Sequence, residues 1–171
     1  MEIASFGIQH LGLTYTASSV LVIILNGAGL PARVAIPIIS DSVGPLNVIT
    51  IMMICCPIVL FCWLAVSNVP GFYVFTVVFG LVSGAIQSIM PTTVASITKR
   101  LDTVGTRLGM CFSVLSIASL TGPSIGGAIQ SASGGSFMGS QIWASVSALT
   151  AASLLVTCRT LRVGRHLKSR C

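Results

Sequence analysis

The chain has 171 residues, of which 54% are hydrophobic and only 7% charged, and its formal net charge is +6. Soluble domains carry about 25% charged residues, so this composition excludes a water-soluble domain. A bilayer core of about 30 Å is crossed by about 20 apolar residues of helix. The chain is therefore long enough for five or six membrane spans joined by short loops.

Five stretches with almost no charge predict transmembrane helices. They cover residues 16–39, 46–66, 71–97, 108–130 and 138–158. Barrel strands alternate polar and apolar residues, whereas the stretch from Val48 to Val66 is apolar on every side. The predicted fold class is therefore an all-α transmembrane bundle of about five helices. Residues 1–15 are assigned to an external loop, residues 16–158 to the membrane domain and residues 159–171 to a basic cytoplasmic tail.

Basic residues are confined to alternate connections. Lys99, Arg100 and Arg107 lie between the third and fourth spans. The tail after the fifth span carries Arg159, Arg162, Arg165, Lys168 and Arg170. The intervening connections, residues 67–71 and 131–136, have no charge. By the positive-inside rule the basic connections and the carboxy terminus are cytoplasmic. Orientation and contact with the lipid bilayer account for the positive charge, and no nucleic-acid partner is predicted.

Small residues recur four positions apart on three of the spans. The sets are Gly80 with Gly84, Gly122 with Gly126, and Ala144 with Ala148 and Ala152. Each set makes a flat helix face, and such faces mark helix contacts in lipid. Chance is the alternative for any single pair, since the chain has 17 glycines.

The fourth span carries a pattern of glycines around one proline. Its members are Gly109, Ala118, Gly122, Pro123, Gly126 and Gly127. The spacing resembles the motif G-x8-G-x3-G-P-x2-G-G of the major facilitator superfamily, with Ala118 at one glycine position. The glycines permit tight packing, and Pro123 removes a backbone donor and allows bending. A gating hinge and a kinked packing helix are both open interpretations.

The connection after the first span extends this resemblance. Asp41 and Gly44 match the D-x-x-G core of the loop signature of the superfamily. Together with residues 26–33, 80–91 and 121–127, they resemble the monocarboxylate-transporter-like subfamily, in particular its fungal members. The resemblance aligns the five spans with helices eight to twelve of a twelve-helix fold and residues 1–15 with a remnant of the preceding loop. It implies the carboxy-terminal part of a transporter whose substrate path lies between two six-helix halves.

Arg33 is the charged residue that lies deepest in a predicted span, eight residues before Asp41. An arginine in the membrane is costly unless it faces protein or water, and it is often functional. Arg33 is therefore predicted to bind an anionic solute, with snorkelling toward the interface as the alternative. In the animal monocarboxylate transporters that the chain resembles, an aspartate lies four residues before the arginine that matches Arg33 and takes part in proton coupling. Gly29 stands at that position here.

Two amides complete the candidate substrate site. Asn26 lies seven residues before Arg33 and hence on nearly the same helix face, and Gln87 lies near the middle of the third span. Both are predicted to line a polar cavity. Hydrogen bonding between helices is the alternative for each of them.

The predicted function is transport of small solutes, a monocarboxylate or a related organic anion, by alternating access. The expected location is the plasma membrane rather than an organelle membrane, and the expected partners are lipid, solute and a missing amino-terminal half or another copy. A non-transporting subunit, a scaffold or a degenerate remnant is the alternative. Neither an enzyme, a cofactor nor a metal site is predicted, because the chain has only three acids and no CxxC pair, and both of its histidines lie near its ends.

Overall fold

The computed structural model describes residues 7–8, 14–66, 68–98 and 100–163. Its five long helices are α1 (Tyr15–Val43), α2 (Pro45–Leu64), α3 (Val69–Ser96), α4 (Val104–Ala132) and α5 (Met138–Val163), with a short 3₁₀ helix, Leu101–Thr103, before α4. Each long helix has the length and hydropathy needed to cross a membrane, and these residues contain no β-strand. The predicted all-α transmembrane class is confirmed.

Local residues explain where several helices begin and end. The side chain of Thr14 accepts a hydrogen bond from the N–H of Ala17 at 3.4 Å and caps α1. Pro45 opens α2 at a position where a missing N–H costs no helical bond. After α4, Gly135 adopts a φ of +90° and its N–H donates to the carbonyl oxygen of Gln130 at 2.9 Å. This bond closes the end of the helix as in a glycine-terminated helix cap.

The connection between α1 and α2 is shorter than the sequence predicts. Helix α1 continues through Asp41 to Val43, and Gly44 alone separates it from α2. Gly44 has a φ of +98°, and its N–H donates to the carbonyl oxygen of Ser40 at 2.8 Å. Glycine tolerates this conformation because it has no Cβ. Asp41 therefore belongs to the last turn of α1 and not to a loop.

The carboxy-terminal helix also extends beyond its predicted end. Helix α5 runs to Val163, five residues past position 158. The run of basic residues that begins at Arg159 predicts a tail at this position. Arg159 instead lies within the helix and is buried, with 8% of its surface exposed.

Helices α1 and α3 approach each other closely through their glycines. A Cβ atom added at Gly84 would lie 2.8 Å from the carbonyl oxygen of Gly29, and one added at Gly80 would collide with the carbonyl oxygen of Leu25. The contacts advance together along both helices, so α1 and α3 run parallel. We call this contact the glycine seam. It is the type of contact that the spacing of Gly80 and Gly84 predicts.

Helix α2 packs against α3 and α5, and two apolar clusters fill the spaces between the helices. The first cluster contains Leu21, Leu60, Trp63, Phe72, Phe75 and Phe137. Within it the rings of Trp63 and Phe75 stack with their centroids 5.5 Å apart. The second contains Leu46, Val48, Ile49 and Ile89. The clusters occupy opposite ends of the bundle, because one contains the end of α2 and the other its beginning.

Helix α4 has few contacts with the other helices. Gly126 is its buried residue, and apolar side chains such as Leu120, at 76% exposure, point away from the bundle. In a membrane, such a surface meets lipid or another transmembrane helix.

Candidate functional site

Two of the three predicted substrate residues contact each other. Nη2 of Arg33 on α1 donates a hydrogen bond to Oε1 of Gln87 on α3, at 3.1 Å. The acceptor is a neutral amide, so the bond orients the guanidinium without neutralising its charge. A guanidinium has five N–H donors, which leaves others for an additional partner. The guanidinium is therefore held in place, keeps its positive charge and has N–H groups left to bind a ligand.

The glycine seam sets the position of this pair. Arg33 lies four residues after Gly29, and Gln87 lies three residues after Gly84. Because α1 and α3 are parallel and touch at the seam, both side chains leave their helices about one turn beyond the contact. Close backbone approach thus brings an arginine and an amide to the same depth.

The pair lies on a face that the other described helices leave open. Gln87 is exposed and Arg33 is partly exposed. On α1 the neighbouring residues Leu30 and Val34 are 59% and 67% exposed. An arginine at the centre of a helix costs about 2.5–3.5 kcal/mol to insert when it faces lipid. Since Gln87 does not remove this charge, the face is suited to water or to another protein segment.

Asn26 lies on the same helix as Arg33 but makes a different kind of bond. Its Nδ2 group donates to the carbonyl oxygen of Val22 at 2.9 Å, within α1. The residue is exposed, and it is roughly 10 Å from Arg33 along the helix axis. The structure therefore brings Arg33 and Gln87 together and leaves Asn26 two turns away from them.

The two residues of the predicted loop signature lie at the end of α1. Asp41 is exposed, and Gly44 is buried at the sharp turn into α2. Asp41 is eight residues, or about 12 Å of helix, from Arg33. No ion pair joins these two described residues. Asp41 therefore does not neutralise the Arg33 guanidinium.

The glycine-proline pattern falls within α4, which is helical from Val104 to Ala132. A Cβ atom added at Gly109, Gly122 or Gly127 would meet no atom within 4 Å. Pro123 is exposed, whereas Gly126 is buried. The flat face that these residues form is thus largely free of helix contacts in the described part of the chain.

Glycine at position 29 avoids a steric clash with α3 that an aspartate would cause. A Cβ atom at this position would lie 3.0 Å from the carbonyl oxygen of Gly80 and 3.6 Å from Cα of Gly84. A longer side chain would push α1 and α3 apart. The position that the resemblance associates with proton coupling is used here for helix packing.

One buried polar pair is not predicted by the sequence. Nε of Arg159 on α5 donates to Oδ1 of Asn47 on α2 at 2.8 Å, and both residues are buried. The position of Arg159 at the start of a basic run indicates membrane topology and does not indicate this contact. The available signal was Asn47, an amide near the start of an otherwise apolar span.

The chain is similar to fungal proteins named as MFS-type transporters. An MFS-type transporter of Gibberella zeae is 35% identical over 147 residues, which cover 86% of the chain and 33% of the relative. MFS-type transporter 1 of an Ophiocordyceps species is 37% identical over 152 residues, which cover 88% and 33%. The Aspyridones efflux protein apdF of Emericella nidulans is 32% identical over 130 residues, which cover 76% and 26%.

These similarities support assignment of the chain to the major facilitator superfamily. The chain spans about a third of the length of the curated relatives it matches. No family model and no solved structure match it. Five helices able to span a membrane, together with these relatives, support an integral membrane protein.

Proposed function

We propose that the chain supplies one wall of a solute path in a major facilitator transporter, and that Arg33 and Gln87 bind an organic anion at that wall. The observation that carries the proposal is the 3.1 Å bond between them on an uncovered helix face. It holds a charged guanidinium with free donors where lipid would be a costly neighbour. The planar fork of arginine suits a carboxylate, which it binds by charge-assisted hydrogen bonds.

The opposite wall is proposed to come from helices outside this chain, either of a longer polypeptide or of a second copy. The relatives are about three times as long as the matched region. The open face of α1 and the uncontacted glycines of α4 are surfaces that such helices could cover. Alternating access would then rock one half against the other around the bound solute.

Export of the anion is favoured over import. The name of the Emericella nidulans relative describes it as an efflux protein. We propose an organic anion, with monocarboxylates as the simplest members of the class. The proposed membrane is the plasma membrane, with the carboxy terminus on the cytoplasmic side, and Asn26 is proposed to line the path two turns from Arg33.

The test replaces the matched 147-residue region of the Gibberella zeae relative with this chain. Vesicles containing the chimera are expected to transport labelled organic acids and to discriminate against the uncharged amides of the same acids. Arg33→Gln should abolish that discrimination, whereas Arg107→Gln, which alters an exposed arginine at the start of α4, should preserve it. Vesicles with this chain alone should match empty vesicles where the second wall belongs to a longer polypeptide, whereas uptake by them would identify a second copy as that wall. Equal transport of acids and amides by the unmodified chimera would refute anion recognition.

A further inference from the structure

A second positive centre lies at the end of α5, away from Arg33. Arg159 has 8% of its surface exposed, and its Nε donates to Oδ1 of Asn47 at 2.8 Å. Its Nη2 is buried and has no hydrogen-bond partner among the described residues. Asn47 is also buried, and its own Nδ2 donates to the carbonyl oxygen of Val43 at 2.9 Å. The guanidinium is therefore held by a neutral amide and keeps one unsatisfied donor.

Arg159 has no carboxylate partner among the described residues. Asp41, in the last turn of α1, is exposed and forms no ion pair with Arg159 within the described chain. A buried charge left without a counter-charge costs several kcal/mol. An anion at this position would therefore be stabilised.

An apolar groove lies on the two helices that carry Asn47 and Arg159. It lies between α2 and α5 and has a volume of about 530 Å³. Its walls include Ile54, Ile58 and Phe61 on α2 and Leu149 and Val156 on α5. This volume falls in the range of roughly 300–1,000 Å³ that is typical of small-molecule sites.

The groove and the charge share the same helix faces. On α2, Asn47 lies seven residues, or about two turns, before Ile54. On α5, Arg159 lies three residues after Val156. The two helices are antiparallel, since the start of α2 meets the end of α5. The lining of the groove ends on α5 at Thr157, two residues before Arg159.

We propose that this groove binds an anionic phospholipid, with one acyl chain between α2 and α5 and its phosphate at Arg159. A phospholipid has both parts that the site requires, an apolar chain and an anion joined at the membrane interface. Arginine binds phosphate through two parallel hydrogen bonds, and basic pockets between transmembrane helices bind anionic head groups. Binding turns the guanidinium toward the mouth of the groove and gives the buried Nη2 an acceptor. This site is independent of the proposed anion path at Arg33.

The test measures lipid binding to the purified chain by native mass spectrometry. Phosphatidylserine and phosphatidylcholine with identical acyl chains are titrated separately, and the chain is expected to retain one phosphatidylserine preferentially. Arg159→Gln should weaken that binding about tenfold or more, the effect expected for a lost hydrogen bond to a charged group. Arg107→Gln is the matched control, because it removes an exposed arginine at the same end of the bundle.

A second pair of variants tests the groove without touching Arg159. Ser153 lines the groove and is exposed, and its hydroxyl donates only within α5, to the carbonyl oxygen of Thr150 at 2.8 Å. Ser153→Phe should fill the groove and also weaken phosphatidylserine binding. Ser147 is also exposed and its hydroxyl donates within α5, to the carbonyl oxygen of Trp143, but it lies outside the groove, so Ser147→Phe should have no effect.

Several outcomes would overturn the proposal. Unchanged phosphatidylserine affinity in Arg159→Gln would remove the head-group assignment, and unchanged affinity in Ser153→Phe would remove the acyl-chain assignment. Displacement of the lipid by millimolar inorganic phosphate would show that the site recognises free phosphate and not a lipid. If Arg159→Gln does not fold, the Ser153→Phe and Ser147→Phe comparison still decides whether the groove holds the lipid.

Discussion

Gln87 on α3 holds the guanidinium of Arg33 on α1 through a bond of 3.1 Å between Nη2 and Oε1. The two residues are 54 positions apart, and the glycine seam brings their helices together one turn before them. Gln87 is therefore a positioning residue in the proposed site. Its neutral amide directs the arginine and leaves the positive charge available to a solute.

The neutrality of Gln87 is tested by Gln87→Glu and Gln87→Leu in the chimeric transporter. A glutamate would form an ion pair with Arg33 and compete with the anionic solute, whereas leucine would only remove the orienting bond. We expect Gln87→Glu to raise the KM for an organic anion about tenfold or more, and Gln87→Leu to raise it less. Concentration-dependent uptake into vesicles gives both values. A lower KM for Gln87→Glu than for Gln87→Leu would contradict the assigned role.

Arg33→Lys tests the geometry of the charge and not its sign. Lysine keeps the positive charge but loses the planar fork, so transport of a carboxylate should fall about tenfold. Arg33→Gln should reduce it further. Transport is measured per amount of chimera in the membrane, with Arg107→Lys as the control for loss of an exposed arginine. Wild-type transport by Arg33→Gln would leave the snorkelling interpretation as the explanation of Arg33.

The glycine seam predicts a packing effect at one glycine and none at another. A methyl group at Gly84 would lie 2.8 Å from a backbone oxygen of Gly29, whereas one at Gly122 would meet nothing within 4 Å. Gly84→Ala should lower the free energy of unfolding by about 1–3 kcal/mol, the usual cost of overpacking. Gly122→Ala should leave it unchanged or raise it slightly. Unfolding of the purified chain by titration with dodecyl sulfate measures both, and equal effects would be inconsistent with the seam.

The orientation of the chain gives a further prediction. Arg100 and Arg107 lie before and at the start of α4, and the end of α5 reaches the same side of the bundle after two crossings. The carboxy terminus should therefore be cytoplasmic, and the connection at residues 133–136 external. Reporter tags at the two places distinguish the sides. A carboxy-terminal tag on the outside would reverse the orientation.

The spans were predictable because charge is nearly absent from them, but their ends were less so. Gly44 with its φ of +98° makes the turn after α1 in a single residue, which composition does not reveal. The basic run after position 158 marked a tail, although Arg159 is a buried helical residue. Charge near a span end indicates topology statistically, whereas the partner of an individual side chain depends on helix rotation.

The sequence predicts which polar residues belong to the candidate site, but it does not predict which of them contact each other. Arg33, Asn26 and Gln87 are conspicuous because polar groups are rare in the spans, but only two of them meet. Spacing alone also did not distinguish Gly80 and Gly84 from Gly122 and Gly126. The first pair contacts α1, whereas a methyl group at Gly122 would meet nothing within 4 Å. Four-residue spacing identifies a flat face, and the neighbouring helix that uses it is decided by the fold.

The glycine seam has a mechanical consequence for any transport cycle. Gly29 and Gly84 leave no room for a side chain between α1 and α3, so the two backbones touch directly. Arg33 and Gln87 lie one turn beyond that contact and are joined by a hydrogen bond. We therefore expect α1 and α3 to tilt together in a transport cycle and to carry the arginine and the amide as a pair.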